Sequence, residues 1–202
     1  MTGLPPRIAL ATHNPHKLRE LVRICAGWPT EWLSVENHDP SAFPDVDETG
    51  ATYLDNAQLK AKAVAAALGL PALADDSGIE VDALGGAPGP RSARYAGEHA
   101  SDEENLRALI QAIRGIPASG RSARYRCVAA LAWPDGRFEH VDGTCEGALR
   151  TSPAGSGGFG YDPIFVPIGW DVTMAELTDD QKDRISHRGR AFRALRELLT
   201  GV

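Results

Sequence analysis

Between Thr52 and Gly69 the chain runs through a long stretch rich in Ala and Leu, and this stretch narrows the possible folds more than any other. Ala and Leu are strong helix formers because they lose little side-chain entropy in a helix. Thr52 supplies an N-cap hydroxyl for the orphan amides of the first turn. Gly69 suits the left-handed residue that closes a helix, and Pro71 cannot extend one. The spacing predicts a helix over 53–68. A short apolar run, Pro71–Ala74, follows at once and reads as a buried strand that delivers Asp75 and Asp76 at its end. Strands and helices in such quick succession form layered α/β folds.

The same alternation begins at the N-terminus. Arg7–Thr12 is apolar and is stopped by Asn14-Pro15, so it reads as a first strand. A helix follows from about His16 to Ala26, with Leu18, Leu21, Val22 and Cys25 on one face. A strand is expected at about Trp32–Val35, then an acidic loop, Asp45–Gly50. Gly85–Pro90 reads as a Gly/Pro loop. Ser101 and Glu104 form a capping box for a helix that reaches Arg114. Ser122–Trp133 and Arg137–Thr144 read as strands joined at Pro134-Asp135-Gly136, with another strand at Cys145–Arg150. Thr178 caps a helix over 179–185, and a last helix spans about Gly189–Leu199. Early alternation and a late hairpin predict a mixed sheet with flanking helices, in one domain covering 1–202.

A net charge of −6 argues against a general nucleic-acid surface. No apolar run approaches the ~18–20 residues of a membrane span. Met1–Leu10 lacks the basic–apolar–small pattern of a secretory leader, so a cytoplasmic location is expected. Cys25, Cys127 and Cys145 are scattered, without metal-ligand spacing, and read as buried reduced thiols. Lysine is scarce: only Lys17, Lys60, Lys62 and Lys182 stand among 21 basic residues. A compact ammonium retained in an arginine-using chain suits phosphate binding.

Three segments carry candidate chemistry. Asp75-Asp76-Ser77-Gly78 reads as adjacent carboxylates on a tight turn, a setting for hard cations. Asp45, Asp47 and Glu48 offer a second acidic source, and Asn56 and Lys60 share one helix face. Thr12-His13-Asn14-Pro15-His16-Lys17 opens a helix with a lysine in its first turn, a setting for phosphates. Gly155–Gly160 fits G-x-G-x-x-G, yet Tyr161-Asp162-Pro163 follows where a dinucleotide site needs a helix. This loop instead brings backbone close to a ligand, with Phe159 and Tyr161 as stacking faces for a base. Ser186-His187-Arg188 lacks an evident nucleophile–base–acid set, which argues against a serine hydrolase. A P-loop lysine–serine motif is absent from the sequence.

Taken together, Ala11–Lys17, Glu48–Ala57, Ala74–Gly78, Gly85–Gly89, Ser92–Gly97, Gly157–Phe165 and Ile185–Gly189 resemble the inosine triphosphate pyrophosphatase family, specifically its bacterial dITP/XTP branch. The resemblance implies a long twisted mixed sheet in two lobes with an active site in a cleft. It also implies a homodimer, and Mg2+-dependent hydrolysis of ITP, dITP and XTP to monophosphate and pyrophosphate. By that resemblance Glu48 and Asp76 hold the metal, and Asp76 is the general base. Thr12, His13, Asn14, Pro15, His16, Lys17, Lys60 and Ser77 attend the phosphates. Phe159 stacks on the base, Gly160, Tyr161 and Asp162 complete its pocket, and Lys182, His187 and Arg188 approach its polar edge. Two departures stand out: His13 replaces a common glycine, and Asp55 a usual glutamate. Two other readings fit the scaffold. A septum-inhibitor (Maf) type pyrophosphatase acting on pyrimidines would need a Ser-x-Ser-x-x-Arg opening, which is missing. A non-catalytic nucleotide sensor would not need Asp76 and Glu48.

Overall fold

A computed structural model describes residues 3–201. In chain order the elements are β1 (Arg7–Leu10), α1 (Pro15–Ile24), β2 (Glu31–Leu33), α2 (Tyr53–Leu68) and β3 (Ala72–Val81). They continue with α3 (Asp102–Ile113), β4 (Ser122–Ala132), β5 (Phe138–Leu149), β6 (Phe165–Pro167), α4 (Asp179–Ile185) and α5 (His187–Thr200). The strands form one six-stranded sheet in the order β2-β1-β3-β4-β5-β6. β1 runs parallel to β2 and β3, whereas β6 is antiparallel to β5, so the sheet is mixed as expected. No helix among the described residues is long and apolar enough to cross a membrane.

The chain divides into two compact units. Unit 1 comprises 1–76, 127–143 and 188–202; unit 2 comprises 77–126 and 144–187. In unit 1 both sheet faces are covered, and the strands alternate accordingly. Ile8, Leu10, Leu73, Cys127, Ala129 and Leu131 face α1 and α5, meeting Leu18, Leu21, Phe192 and Leu195. Ala9, Ala11, Ala72, Ala74, Val128 and Ala130 face α2, meeting Ala57, Ala61, Val64 and Ala65. Alanine on both sides of that second interface brings the helix close to the sheet.

Unit 2 buries one sheet face only. Ile79, Val81, Ala123, Tyr125, Cys145 and Leu149 pack with Leu109 and Ile113 of α3. The opposite face carries a charged ladder. Arg124 reaches Asp82 at 2.8 Å and Glu146 at 3.2 Å, and Arg126 lies 3.6 Å from Glu80. Alternation of apolar and charged residues is the mark of a sheet wet on one side.

The helices follow their caps. Thr52 with Asp55, Ser101 with Glu104 and Thr178 with Gln181 each close a capping box, and Gly69 closes α2 in the left-handed region. Asp55, shorter than the usual glutamate, is thereby spent on its own helix: its Oδ2 accepts from the Thr52 amide at 3.1 Å.

Three strand expectations need correction. Asp75-Asp76-Ser77-Gly78 is not a turn; it lies inside the ten-residue β3. Polar turn formers stay extended there because each carboxylate finds partners on its own side of the sheet. The separate strands at Arg137–Thr144 and Cys145–Arg150 are one continuous β5, whose Gly143, Cys145, Gly147 and Leu149 alternate inward. β6 was not expected at all. It docks over Gly147, where a Cβ would stand 2.5 Å from both the Phe165 ring and the Val166 carbonyl. The missing side chain at Gly147 makes room for that edge strand.

Candidate active site

Adjacent residues on a strand point to opposite faces, so β3 sends its two carboxylates to different partners. Asp75 projects on the Leu73 side toward α1 and α5. Its Oδ2 accepts from Arg188 Nε at 3.2 Å and Nη2 at 3.0 Å, and Lys17 Nζ lies 3.4 Å away. Arg188 also donates to Glu20 of α1. Glu20, Asp75 and Arg188 are all buried. Burial opposes ionisation of Asp75, yet Arg188 and Lys17 outweigh it and hold the carboxyl well below the usual carboxylate range. For Lys17 burial likewise disfavours charge, and the carboxylates of Asp75, Asp76 and Glu48 together outweigh it and raise the ammonium pKa. Asp75 Oδ1 is buried without a hydrogen-bond partner among the described residues.

Asp76 projects on the Ala74 side toward α2. Asn56 Nδ2 donates to its Oδ2 at 3.0 Å, and Lys60 Nζ lies 3.9 Å from Oδ1. Lys60 also binds Glu48 at 2.6 Å. One ammonium thus sits between two carboxylates. Burial pushes Asp76 up from the usual carboxylate value despite Lys17 and Lys60, which makes it a better proton acceptor than an exposed aspartate. Burial would also raise Glu48, but Lys60 reverses the effect and lowers it.

No group of three or more His, Cys, Asp or Glu gathers among the described residues in a way that could hold a metal. The cluster therefore offers Glu48 and Asp76 and no protein cage. Mg2+ is held in that manner, by one or two carboxylates with waters and substrate phosphates. The Lys60 ammonium already between Glu48 and Asp76 marks the place as one that accepts a cation. Charge points the same way: Lys17, Lys60 and Arg188 stand against Glu20, Glu48, Asp75 and Asp76. A cluster with more carboxylates than cations needs added positive charge to hold a polyphosphate.

The loop from Thr12 to Lys17 is closed locally. Asn14 Oδ1 accepts from the His16 and Lys17 amides at 2.9 and 3.1 Å, with Pro15 at the first helical position. Asn14 therefore holds the loop, and the His16 and Lys17 amides are engaged by its side chain. Thr12 Oγ1 accepts from the Asn14 amide at 3.2 Å. His13 Nε2 lies 3.4 Å from the Pro44 carbonyl, and His16 receives a hydrogen bond from Arg19. Ser77, the next residue along β3, opens unit 2 and is half-buried.

Unit 2 builds a second cluster around Asp162. Its Oδ2 accepts from Lys182 Nζ at 2.5 Å and from the Phe159 amide at 3.0 Å, and its Oδ1 accepts from Tyr125 at 3.0 Å. Lys182 Nζ lies 5.2 Å from the Phe159 ring centroid. His187 stacks on Tyr125 with ring centroids 4.6 Å apart. Gly160 donates its amide to Asp102 at 3.2 Å. Tyr161 was expected beside a ligand; it is buried, and its hydroxyl donates to the Ser92 carbonyl at 2.7 Å. Arg188 was expected with Lys182 and His187 at a base edge. Its guanidinium binds Asp75 and Glu20 of unit 1, a buried cation offsetting two buried carboxylates.

Glu20, Tyr125 and Asp102 escaped the sequence reading. Glu20 had a signal, since it lies three residues after Lys17 on the same helix face. Tyr125 had one too, sharing inward parity with Ala123 and Cys127.

Gly158 ties the glycine loop to this cluster. Its φ is +67°, and a Cβ there would stand 2.0 Å from Asp162 Oδ2 and 2.9 Å from Lys182 Nζ. Gly158→Ala is expected to open the Asp162–Lys182 pair and lower kcat/KM at least about 10-fold, the effect of losing one charged hydrogen bond. Steady-state kinetics checks this, and unchanged kinetics would show that the loop relaxes around the methyl.

Comparison with known proteins matches the chain to a family. The chain is 52% identical to a dITP/XTP pyrophosphatase of Streptomyces coelicolor, over 96% of this chain and 98% of the relative. It is 47% identical to one of Geobacter sulfurreducens, over 96% of each. A HAM1 protein from Coxiella burnetii superposes with a TM-score of 0.86 at 38% identity, covering 98% of this chain and all of that one. The Ham1 protein of Staphylococcus aureus gives 0.83 at 39% identity, covering 96% of this chain and 98% of its own. The Ham1 family profile matches residues 8–198, and the chain belongs to the Ham1 family.

Proposed function

We propose that this chain hydrolyses non-standard purine nucleoside triphosphates, ITP, dITP and XTP, to the monophosphate and pyrophosphate, with Mg2+. The names of its relatives support the reaction. The observation that carries it here is Asp76, a buried carboxylate held by Asn56 beside Glu48 and Lys60.

Phosphoryl chemistry asks the protein for positioning and charge. Lys17 and Lys60 neutralise the polyphosphate, and Glu48 and Asp76 would hold the metal. When bound, Mg2+ adds positive charge at the phosphates and acidifies water. Asp76, oriented by Asn56, accepts the proton of the water that attacks the α-phosphorus, and pyrophosphate leaves. Phe159 stacks on the base. Inosine and xanthine carry an O6 acceptor where adenine carries an N6 donor. Lys182 can donate only, so ATP meets donor with donor. An unpaired buried polar group costs ~1–3 kcal/mol, enough for useful discrimination. By the same resemblance the enzyme is a cytoplasmic homodimer, and sedimentation velocity reads its oligomeric state.

A panel of ITP, dITP, XTP, GTP, ATP and UTP, with pyrophosphate and orthophosphate measured separately, tests the assignment. Orthophosphate release or a preference for UTP would overturn it.

Lys60 generates a further prediction. The ammonium between Glu48 and Asp76 competes with a metal that arrives alone, and is free for phosphate once a metal–nucleotide pair enters. Lys60→Met should therefore bind Mn2+ alone about 10-fold more tightly, as expected for a lost charge contact worth ~1.4 kcal/mol. The same variant should bind the triphosphate more weakly. Calorimetry measures both, and weaker binding of free Mn2+ would contradict the exchange.

A further inference from the structure

We infer that Tyr125 is a positioning residue for base selection, fixing Asp162 and His187 through one rigid side chain. The inference rests on the reading of the unit 2 cluster as the base-binding half of the enzyme.

Asp162 stands at the centre of that cluster. Its Oδ2 serves Lys182 and the Phe159 amide, so the carboxylate sets both the cation and the backbone of the stacking residue. The terminal torsion of an aspartate is soft and does not fix the carboxylate plane by itself. The Tyr125 hydroxyl supplies what is missing, donating to Oδ1 at 3.0 Å. With donors on both oxygens the plane is held.

His187 has a similarly soft terminal torsion. Its ring lies parallel to that of Tyr125, 9° between planes and 4.6 Å between centroids. Tyr125 is itself held. It sits within β4, is 6% exposed, and tilts against Phe165 of β6 at 4.7 Å. One strand residue therefore sets two side chains that were independently expected at the base. A tyrosine present only to fill the core can satisfy its hydroxyl on a nearby carbonyl, as Tyr161 does on Ser92. Tyr125 spends its hydroxyl on the carboxylate that holds Lys182. Precision of this kind comes from side chains whose own partners are locked.

Tyr125→Phe separates these roles, since it keeps the ring, the stack and nearly all the core volume. Kinetics with ITP and ATP are compared for the native chain, Tyr125→Phe and Lys182→Met, with calorimetric binding of IMP and AMP as a reading free of turnover. In Tyr125→Phe the KM for ITP should rise about 10-fold and the ITP-to-ATP ratio of kcat/KM should fall at least about 3-fold, the scale of one buried charged acceptor left short of a donor. The kcat for saturating ITP should stay within about twofold, since Asp76, Glu48 and Lys60 are untouched. IMP affinity should fall while AMP affinity does not. A purely structural tyrosine would lower the unfolding midpoint and leave the ratio, KM and IMP affinity unchanged, and that result overturns the inference. If Lys182→Met collapses the ratio and Tyr125→Phe does not, Tyr125 alone is misassigned. If neither variant changes it, the base-site reading fails and the inference with it.

Discussion

Asp76→Asn should reduce pyrophosphate release from ITP by roughly 10²–10⁴-fold, the range contributed by a positioned general base. The substitution is close to isosteric and keeps a group that can face Asn56 and Lys60. It removes the negative charge that a metal and a departing proton both need. A carboxylate can accept a proton, whereas an amide cannot. Nucleotide affinity should change far less than turnover, because Lys17 and Lys60 remain. Single-turnover pyrophosphate release beside direct binding of ITP separates the two. Turnover within a few-fold of native would remove Asp76 from the chemistry. The Asn56→Ala chain should fall between native and Asp76→Asn, since it leaves the carboxylate charged and loses its 3.0 Å donor.

Arg188→Met should destabilise the fold by about 3–5 kcal/mol, the usual result of removing one partner from a buried ionic set. Arg188 is 1% exposed and joins Asp75 to Glu20. Without it two buried carboxylates lose their shared cation, and Asp75 keeps Lys17 at 3.4 Å. A second substitution, Glu20→Gln, should recover part of the loss, because it removes the charge left stranded; contacting residues are seldom additive. Urea unfolding of both variants measures this. At a temperature where Arg188→Met stays folded, its ITP-to-ATP ratio should be near native, as expected of an arginine that works through Asp75. A collapsed ratio with little loss of stability would place Arg188 at the base edge instead.

Local rules account for what could be read without a fold. Capping boxes at Thr52, Ser101 and Thr178, and the closing Gly69, act within a few residues, so α2, α3 and α4 were legible almost to the residue. The scarcity of lysine drew attention to Lys17, Lys60 and Lys182, and all three are found against carboxylates. Glu48 and Asp76 stood out because carboxylates near a strand and a polar helix face suit a hard cation. The tertiary structure decided the rest. Asp75-Asp76-Ser77-Gly78 has the composition of a turn, and only partners brought from α1, α2 and α5 make it a strand with its two carboxylates facing opposite ways. Glu20 and Arg188 meet across 168 residues, a pairing that no local spacing announces. β6 has three residues and no periodicity, and it exists because Gly147 lets Phe165 settle against β5. Tyr125 looked like any inward residue of a strand until Asp162 and His187, the latter at the start of α5, were folded onto it. Caps and helix periods are written within one turn of chain; a buried charge is placed only by whatever long-range neighbour can neutralise it.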